Sequence, residues 1–281
     1  AEGVRFATAY TFCPLCTPAR ASLMTGLHVH GHGMLSNQFE YGACMGQLPD
    51  GPHLLPRRLG AAGYRCGYVG KWHLGSTQTE WFGATVDVSL PRTRGFEGVQ
   101  YSHEEYLQRH KLPYEPNRST DLSKCSGDDG PPESSMSHWL TDQTLLLVDR
   151  FQEGAEPFFI MHSDPGPHAG YIAPQELYDL YADVEIQPWP NYEWDSTGTP
   201  GPHRVKIHPQ RESHSWEDWA DVLRHYYARC TLIDMQLGRL RDALAERGLL
   251  DNTLILFASD HGETLGSHGG LWDKASTCTE E

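Results

Sequence analysis

From Trp216 to Gly262 the chain reads WEDWADVLRHYYARCTLIDMQLGRLRDALAERGLLDNTLILFASDHG, and this stretch decides the fold class. Trp216, Trp219, Leu223, Tyr226, Cys230, Ile233, Leu237, Leu240 and Leu244 recur at alternating steps of three and four. They form one apolar stripe on a long helix, which Gly248 ends. A short apolar run follows at Thr253–Ser259 and reads as a buried strand leading into Asp260. The stripe would also serve a coiled coil, but the strand after it favours a helix packed on a sheet. Working outward, the same helix-then-strand order recurs twice: Leu54–Ala62 before Tyr64–Val69, and Leu140–Phe151 before Pro157–His162. Repeated units of this kind indicate an α/β fold with helices on the faces of the sheet.

Composition narrows the class without naming a function. At 281 residues the chain has room for one large domain or two ordinary ones. The net charge of −15 argues against a duplex-binding protein, whose phosphate contacts need clustered basic residues. Hydrophobic residues at 38% and eight Trp give enough apolar surface for a substantial core. No run approaches the roughly 18 apolar residues of a spanning helix, so no transmembrane segment is expected. Seven Cys is an odd count in a chain too long for a small disulfide scaffold. Sixteen His invites a metal or acid/base reading. Two stretches interrupt the periodic order, Tyr101–Ser137 and Asp183–Ser215. The second, with Trp189 and Trp194, is a candidate substrate rim or a solvated insertion. Ala1–Gly3 reads as the end of a helix entering a strand, and no signal peptide is visible. Both ends read as cut.

The densest chemical signal is Cys13-Pro14-Leu15-Cys16-Thr17-Pro18-Ala19-Arg20-Ala21-Ser22-Leu23-Met24-Thr25-Gly26. By spacing alone, Cys13 and Cys16 are either half a zinc site or a redox pair. No second C-x-x-C completes a zinc site. With Pro18 in its first turn, a helix would run from about Cys16 to Thr25. Cys16 would then face unpaired N–H donors at the positive end of the helix dipole, where an anion is favoured. Arg20, one turn on, would add a fixed positive charge to the same side.

The run Cys16-Thr17-Pro18-Ala19-Arg20 with its Leu23 and Thr25-Gly26 extension resembles the signature of the sulfatase family. Three further segments resemble that family in the right order: Gly70-Lys71-Trp72-His73-Leu74-Gly75, Pro167-His168, and Ser259-Asp260-His261-Gly262-Glu263 followed by Gly270-Leu271-Trp272-Asp273-Lys274. The match runs from about Phe6 to Lys274. The resemblance implies an alkaline phosphatase-like mixed sheet flanked by helices. The whole chain, 1–281, would be part of the catalytic domain, with insertions at about 101–137 and 183–215. It further implies that Cys16 is converted to formylglycine, whose hydrate attacks sulfur, with Arg20, Lys71, His73 and His168 as the other catalytic residues. Lys71, His168 and Lys274 would bind the sulfate ester, and Asp260, His261 and position 16 would hold a divalent metal.

The residue types suit that chemistry, because a sulfate ester needs a nucleophile, cations on its oxygens and an acid for the leaving alcohol. Asp260 suits a hard cation such as Ca²⁺. His261 stands where the family more often has Asn and keeps Mn²⁺, Mg²⁺ or Zn²⁺ open. It also keeps open a phosphonate or phosphodiester hydrolase of the same superfamily. A non-catalytic sulfate-binding homologue would instead retain the thiol at Cys16. His28, His30 and His32 read as turn or cleft-wall residues, and Glu263 as a surface group or one behind the ligands. The family draws two more metal carboxylates from an Asp pair after its first strand. Asp128-Asp129 is the only such pair here and reads as a loop turn. The chain is therefore expected to be an internal fragment without the first strand and the C-terminal subdomain, and inactive alone. Expected partners are a sulfated small molecule or glycan and a formylglycine-generating enzyme, with no nucleic acid. Periplasmic, secreted and cytoplasmic locations all stay open.

Overall fold

A computed structural model describes residues 3–37, 45–75, 89–98, 130–168, 170–193 and 214–274. In chain order its main elements are helix α1 (Cys16–Thr25), helix α2 (Leu55–Ala61), strand β1 (Arg65–Gly70), the two-residue strand β2 (Glu97–Gly98), helix α3 (Met136–Gln152), strand β3 (Phe158–Ser163) and helix α4 (Trp216–Glu246). Local chemistry sets the helix ends. Gly26, at φ +69°, ends α1 by donating its N–H to the Ser22 carbonyl. The Ser135 hydroxyl caps α3 by accepting the His138 N–H, and Ser215 and Asp218 form a reciprocal capping box on α4.

Strand β1 lies at the centre of a parallel three-stranded sheet of order β2-β1-β3, with Arg65 to Gly70 registered on Phe158 to Ser163. Its side chains alternate between two cores, as a strand buried on both faces requires. Cys66 and Tyr68 join Ala21, Met24, Trp72 and Phe96 on one face, and Val69 joins Trp139, Leu140, Leu147 and Phe151 on the other. Gly67 lets α3 sit close to the sheet, since a Cβ there would lie 3.1 Å from both Leu147 and Phe151. Trp139 and Phe151 are fully buried. Cutting either to Ala is expected to cost about 3–5 kcal/mol.

Four sequence expectations need correction. Thr253–Ser259 is not a paired strand among the described residues, and Leu254, Leu256 and Phe257 are 83%, 80% and 72% exposed. The run is apolar enough for a buried strand, but no described strand lies beside it to complete a ladder. The long helix exists as expected, yet it rests on helix α3 and the 171–192 segment more than on the sheet. Its N-terminal half packs on Tyr171, Leu265 and Trp189, and its C-terminal half is tied to α3 by Arg239–Asp142 at 2.7 Å and Arg247–Asp149 at 2.6 Å. The expected stripe also drifts: Cys230 is exposed, while Ala228, Leu232 and Gln236 are buried. Steps averaging 3.5 residues slip about 20° per heptad on a straight helix, roughly 80° over this length. Finally, residues 4–12 have no regular structure, so no strand follows Gly3. Asp128-Asp129 and Trp194 lie outside the described residues, as do most of the two expected insertions. Among the described residues no helix is long and apolar enough to cross a membrane.

Candidate active site

The start of α1, the end of β1, the turn after β3 and the loop after Ser259 meet at one point. Gly70 makes the meeting of the strand ends feasible. Its φ is +102°, and a Cβ there would sit 2.0 Å from the Ser163 carbonyl oxygen. That close approach lets the Lys71 N–H donate to the same oxygen at 2.9 Å. The chain then turns through His73, a non-glycine residue at φ +53°. Backbone of this kind is strained and persists only where its surroundings hold it. Here the Thr17 hydroxyl holds it by donating to the His73 carbonyl at 2.8 Å.

Cys16 is the buried first residue of α1. Its Sγ lies 3.1 Å from His261 Nε2 and 3.4 Å from Lys71 Nζ. Burial alone would raise the thiol pKa. Hydrogen bonds with His168, His261 and His73 and the charge on Lys71 outweigh it and hold the sulfur strongly toward the thiolate. The helix start is less open than the sequence implies, because the Thr17 N–H is taken by the Asn37 side chain at 3.0 Å.

Arg20 departs most from its expected role. It is buried, and each nitrogen of its guanidinium is engaged by protein rather than facing a ligand. Nε donates to the Trp72 carbonyl at 2.9 Å and Nη1 to Asp260 at 3.2 Å. Nη2 donates to Tyr68 Oη at 2.8 Å, to Ser163 Oγ at 2.6 Å and to the Lys71 carbonyl. Arg20 thus clamps three segments and orients Asp260. Burial would lift the Asp260 pKa, but Lys71, Arg20 and His261 together hold it below the usual carboxylate range.

His261 Nδ1 lies 2.7 Å from the Gly262 carbonyl, an arrangement that leaves Nε2 directed at Cys16. A metal-ligating His commonly places its second nitrogen in this way. Donor atoms of Cys16, Asp260 and His261 lie within 4.8 Å of one another, the one such group found among the described residues. This donor set fits part of the coordination of a divalent cation. His28, His30 and His32 do not join it. His32 instead pins the following turn, accepting the Met34 N–H at 3.1 Å and pairing with Ser22 Oγ at 3.0 Å.

His168 and Lys274 complete the cluster from the far side, with Nζ 2.9 Å from His168 Nε2. Lys274 is buried and also bonds the Asp273 carboxylate. Burial would lower its pKa, but Asp273 and Cys16 raise it, so it stays charged. The open side is a cleft walled by Lys71, Asp164–His168, Tyr226 and Ser259–Glu263. Glu263 is no free surface group: burial, with Asp273 nearby, pushes its carboxyl up to about 7. Sequence reasoning missed Asn37, Tyr68, Ser163, Asp164 and Asp273. Each is an ordinary polar residue in a strand or loop; the fold brings the first four to the cluster, and Asp273 arrives as the neighbour of Lys274. Trp189, the expected rim residue, packs on Trp216 and donates to the Leu265 carbonyl at 2.9 Å.

This constellation has counterparts in known proteins. The chain is 28% identical over 281 residues to the Escherichia coli (strain K12) protein described as uncharacterized sulfatase YidJ, covering 95% of this chain and 52% of that protein. The chain spans about half the length of the curated relatives it matches. Among solved structures, BT4656 in complex with its substrate D-glucosamine-2-N,6-O-disulfate has a TM-score of 0.68 at 19% identity, covering 97% of this chain and 60% of that one. The phosphonate monoester hydrolase of Silicibacter pomeroyi has a TM-score of 0.68 at 22% identity, covering 96% and 57%. These likenesses establish the alkaline phosphatase-like fold. Because the Sulfatase family profile matches residues 1–281 throughout, the chain belongs to the sulfatase family.

Proposed function

We propose that this protein hydrolyses a sulfate monoester of a sugar or other small molecule at Cys16. The observation that carries the reading is the convergence of Lys71, His73, His168 and His261 on one buried sulfur. Converted to formylglycine by a maturing enzyme, position 16 would supply, as the aldehyde hydrate, one hydroxyl to attack sulfur and a second whose deprotonation expels sulfate. A divalent cation, Ca²⁺ or else Mn²⁺ or Mg²⁺, held by Asp260, His261 and the position 16 oxygen would supply positive charge to the sulfate oxygens. Lys71 and Lys274 hold those oxygens as fixed cations. His73 steadies the nucleophile, and His168 gives a proton to the leaving alcohol oxygen. Arg20 acts indirectly by fixing the Asp260 carboxylate.

The test is turnover of aryl sulfate against aryl phosphodiester and phosphonate by the full-length matured protein, with Cys16→Ala as control. Sulfate preference lost in Cys16→Ala supports the reading. Preference for the phosphorus esters would move the activity to the phosphonate hydrolase side, which His261 also suits. An unconverted thiol at Cys16 in active protein would overturn the nucleophile.

A further inference from the structure

We propose that Arg229 of α4 and Asp164 after β3 are positioning residues for His168. This rests on reading His168 as the acid for the leaving group. Both side chains are about nine-tenths buried, at 11% and 9% exposure, and they come from elements far apart in sequence. Arg229 Nη2 lies 3.9 Å from Asp164 Oδ1, and among the described residues Asp164 is its only ion partner. The same Oδ1 accepts the Gly166 N–H at 2.7 Å, an Asx turn that folds the chain back toward His168. The His168 N–H closes that turn onto the Pro165 carbonyl at 3.4 Å. The guanidinium lies against the turn itself: a Cβ on Gly166 would be 2.6 Å from Nη2. Gly166 is therefore the residue that admits Arg229.

Two buried charges placed this way need a reason. A buried ion pair rarely gains stability over a well-packed apolar pair, because desolvation offsets the attraction. Asp164 Oδ2 has no hydrogen-bond partner among the described residues, which adds to that cost. What the pair does supply is a fixed location for a short turn. At 3.9 Å the contact is electrostatic rather than a hydrogen bond, so it holds the turn by charge across the α4 interface. The turn carries His168 between Cys16 and Lys274. Displacement of a reacting group by about 1 Å costs up to roughly a hundredfold in rate.

The experiment compares Asp164→Asn, Arg229→Gln and Arg229→Lys in the full-length matured enzyme on two esters. One is 4-nitrophenyl sulfate, whose leaving group needs no proton, and the other is a sugar 6-sulfate, whose alkoxide does. The expected result is a loss of about 10- to 100-fold in kcat on the sugar ester and less than about threefold on the aryl ester. Arg229→Lys should recover part of the loss. Equal losses on both esters, or none on the sugar ester, overturn the proposal. Asp164→Asn is isosteric and keeps the test open if Arg229→Gln fails to fold. A wild type that cleaves neither ester refutes the proposed function instead. The crystal structure of Asp164→Asn then decides the positioning role: a His168–Lys274 contact that stays put rejects it, and an opened one supports it.

Discussion

Replacing Arg20 with methionine keeps the stem volume and removes every donor of the clamp. Asp260, with 21% of its side chain exposed, would lose its guanidinium partner and stay in a mostly buried site. Breaking such a pair from one side costs about 3–5 kcal/mol. The Trp72 carbonyl, which accepts from Nε, is stranded as well, adding roughly 1–3 kcal/mol. The Lys71 carbonyl is spared, because the Tyr68 hydroxyl also donates to it. Pooling these non-additive contributions gives a cost of about 5 kcal/mol, a third or more of the stability of an ordinary domain. Urea unfolding of Arg20→Met, Asp260→Asn and the double variant, with a chelator present, measures it. In the Asp260→Asn background no unpaired carboxylate is left, so the Arg20→Met cost should fall below about 3 kcal/mol. The coupling between the two sites should therefore be about 2 kcal/mol or more. A cost under about 1 kcal/mol, or the same cost in both backgrounds, would refute the reasoning and leave Arg20 with only the fixed positive charge expected from the sequence.

Other expectations follow from single features. Gly70→Ala forces a non-glycine residue to φ +102° with its Cβ against the Ser163 oxygen. It should cost about 3 kcal/mol or more, so an unchanged melting temperature would contradict the close approach. Glu263 has a folded pKa of about 7 against an ordinary 4.5. Its protonated form is favoured by folding, so its contribution is full below pH 4.5, falls as pH rises to about 7 and is flat beyond. Glu263→Gln should remove that slope and stabilise the metal-free protein by about 2–3 kcal/mol at pH 8 relative to pH 4, and parallel pH profiles would count against it. Asp260→Asn should weaken binding of Ca²⁺, measured by calorimetry on the matured protein, by more than about a hundredfold. Unchanged affinity would remove Asp260 from the proposed metal site.

Much of the site was legible because its residues sit in short contiguous motifs. Cys16, Lys71, His73, His168, Asp260, His261 and Lys274 all lie in segments that resemble the sulfatase motifs, and that resemblance, rather than their spacing, marks them out. Strands β1 and β3 were legible as apolar runs, and α4 by its stripe. The role of Arg20 was not legible, because its spacing from Cys16 predicts only the side of the helix. The depth to which that side is buried depends on β1 and β3. The failure at Thr253–Ser259 has the same cause. An apolar run states what a segment would bury, and only the neighbouring chain determines whether it is buried. The drift of the α4 stripe shows this within one helix, whose partner changes from aromatic side chains of the 171–192 segment to the ion-paired flank of α3.

The extended run from Leu254 to Phe257 also bears on how this chain behaves in the tube. Among the described residues its backbone pairs with no strand, and such a backbone beside greasy side chains is a template onto which another molecule can add a strand. Concentrated solutions of the chain are therefore expected to self-associate, with light scattering that rises faster than concentration. Salt should do little to prevent it, since the attraction is not one between charges. Leu254→Lys and Leu256→Lys should raise the solubility limit without changing the cleft, whose wall begins at Ser259, so that the run governs solution behaviour while the cleft governs reactivity.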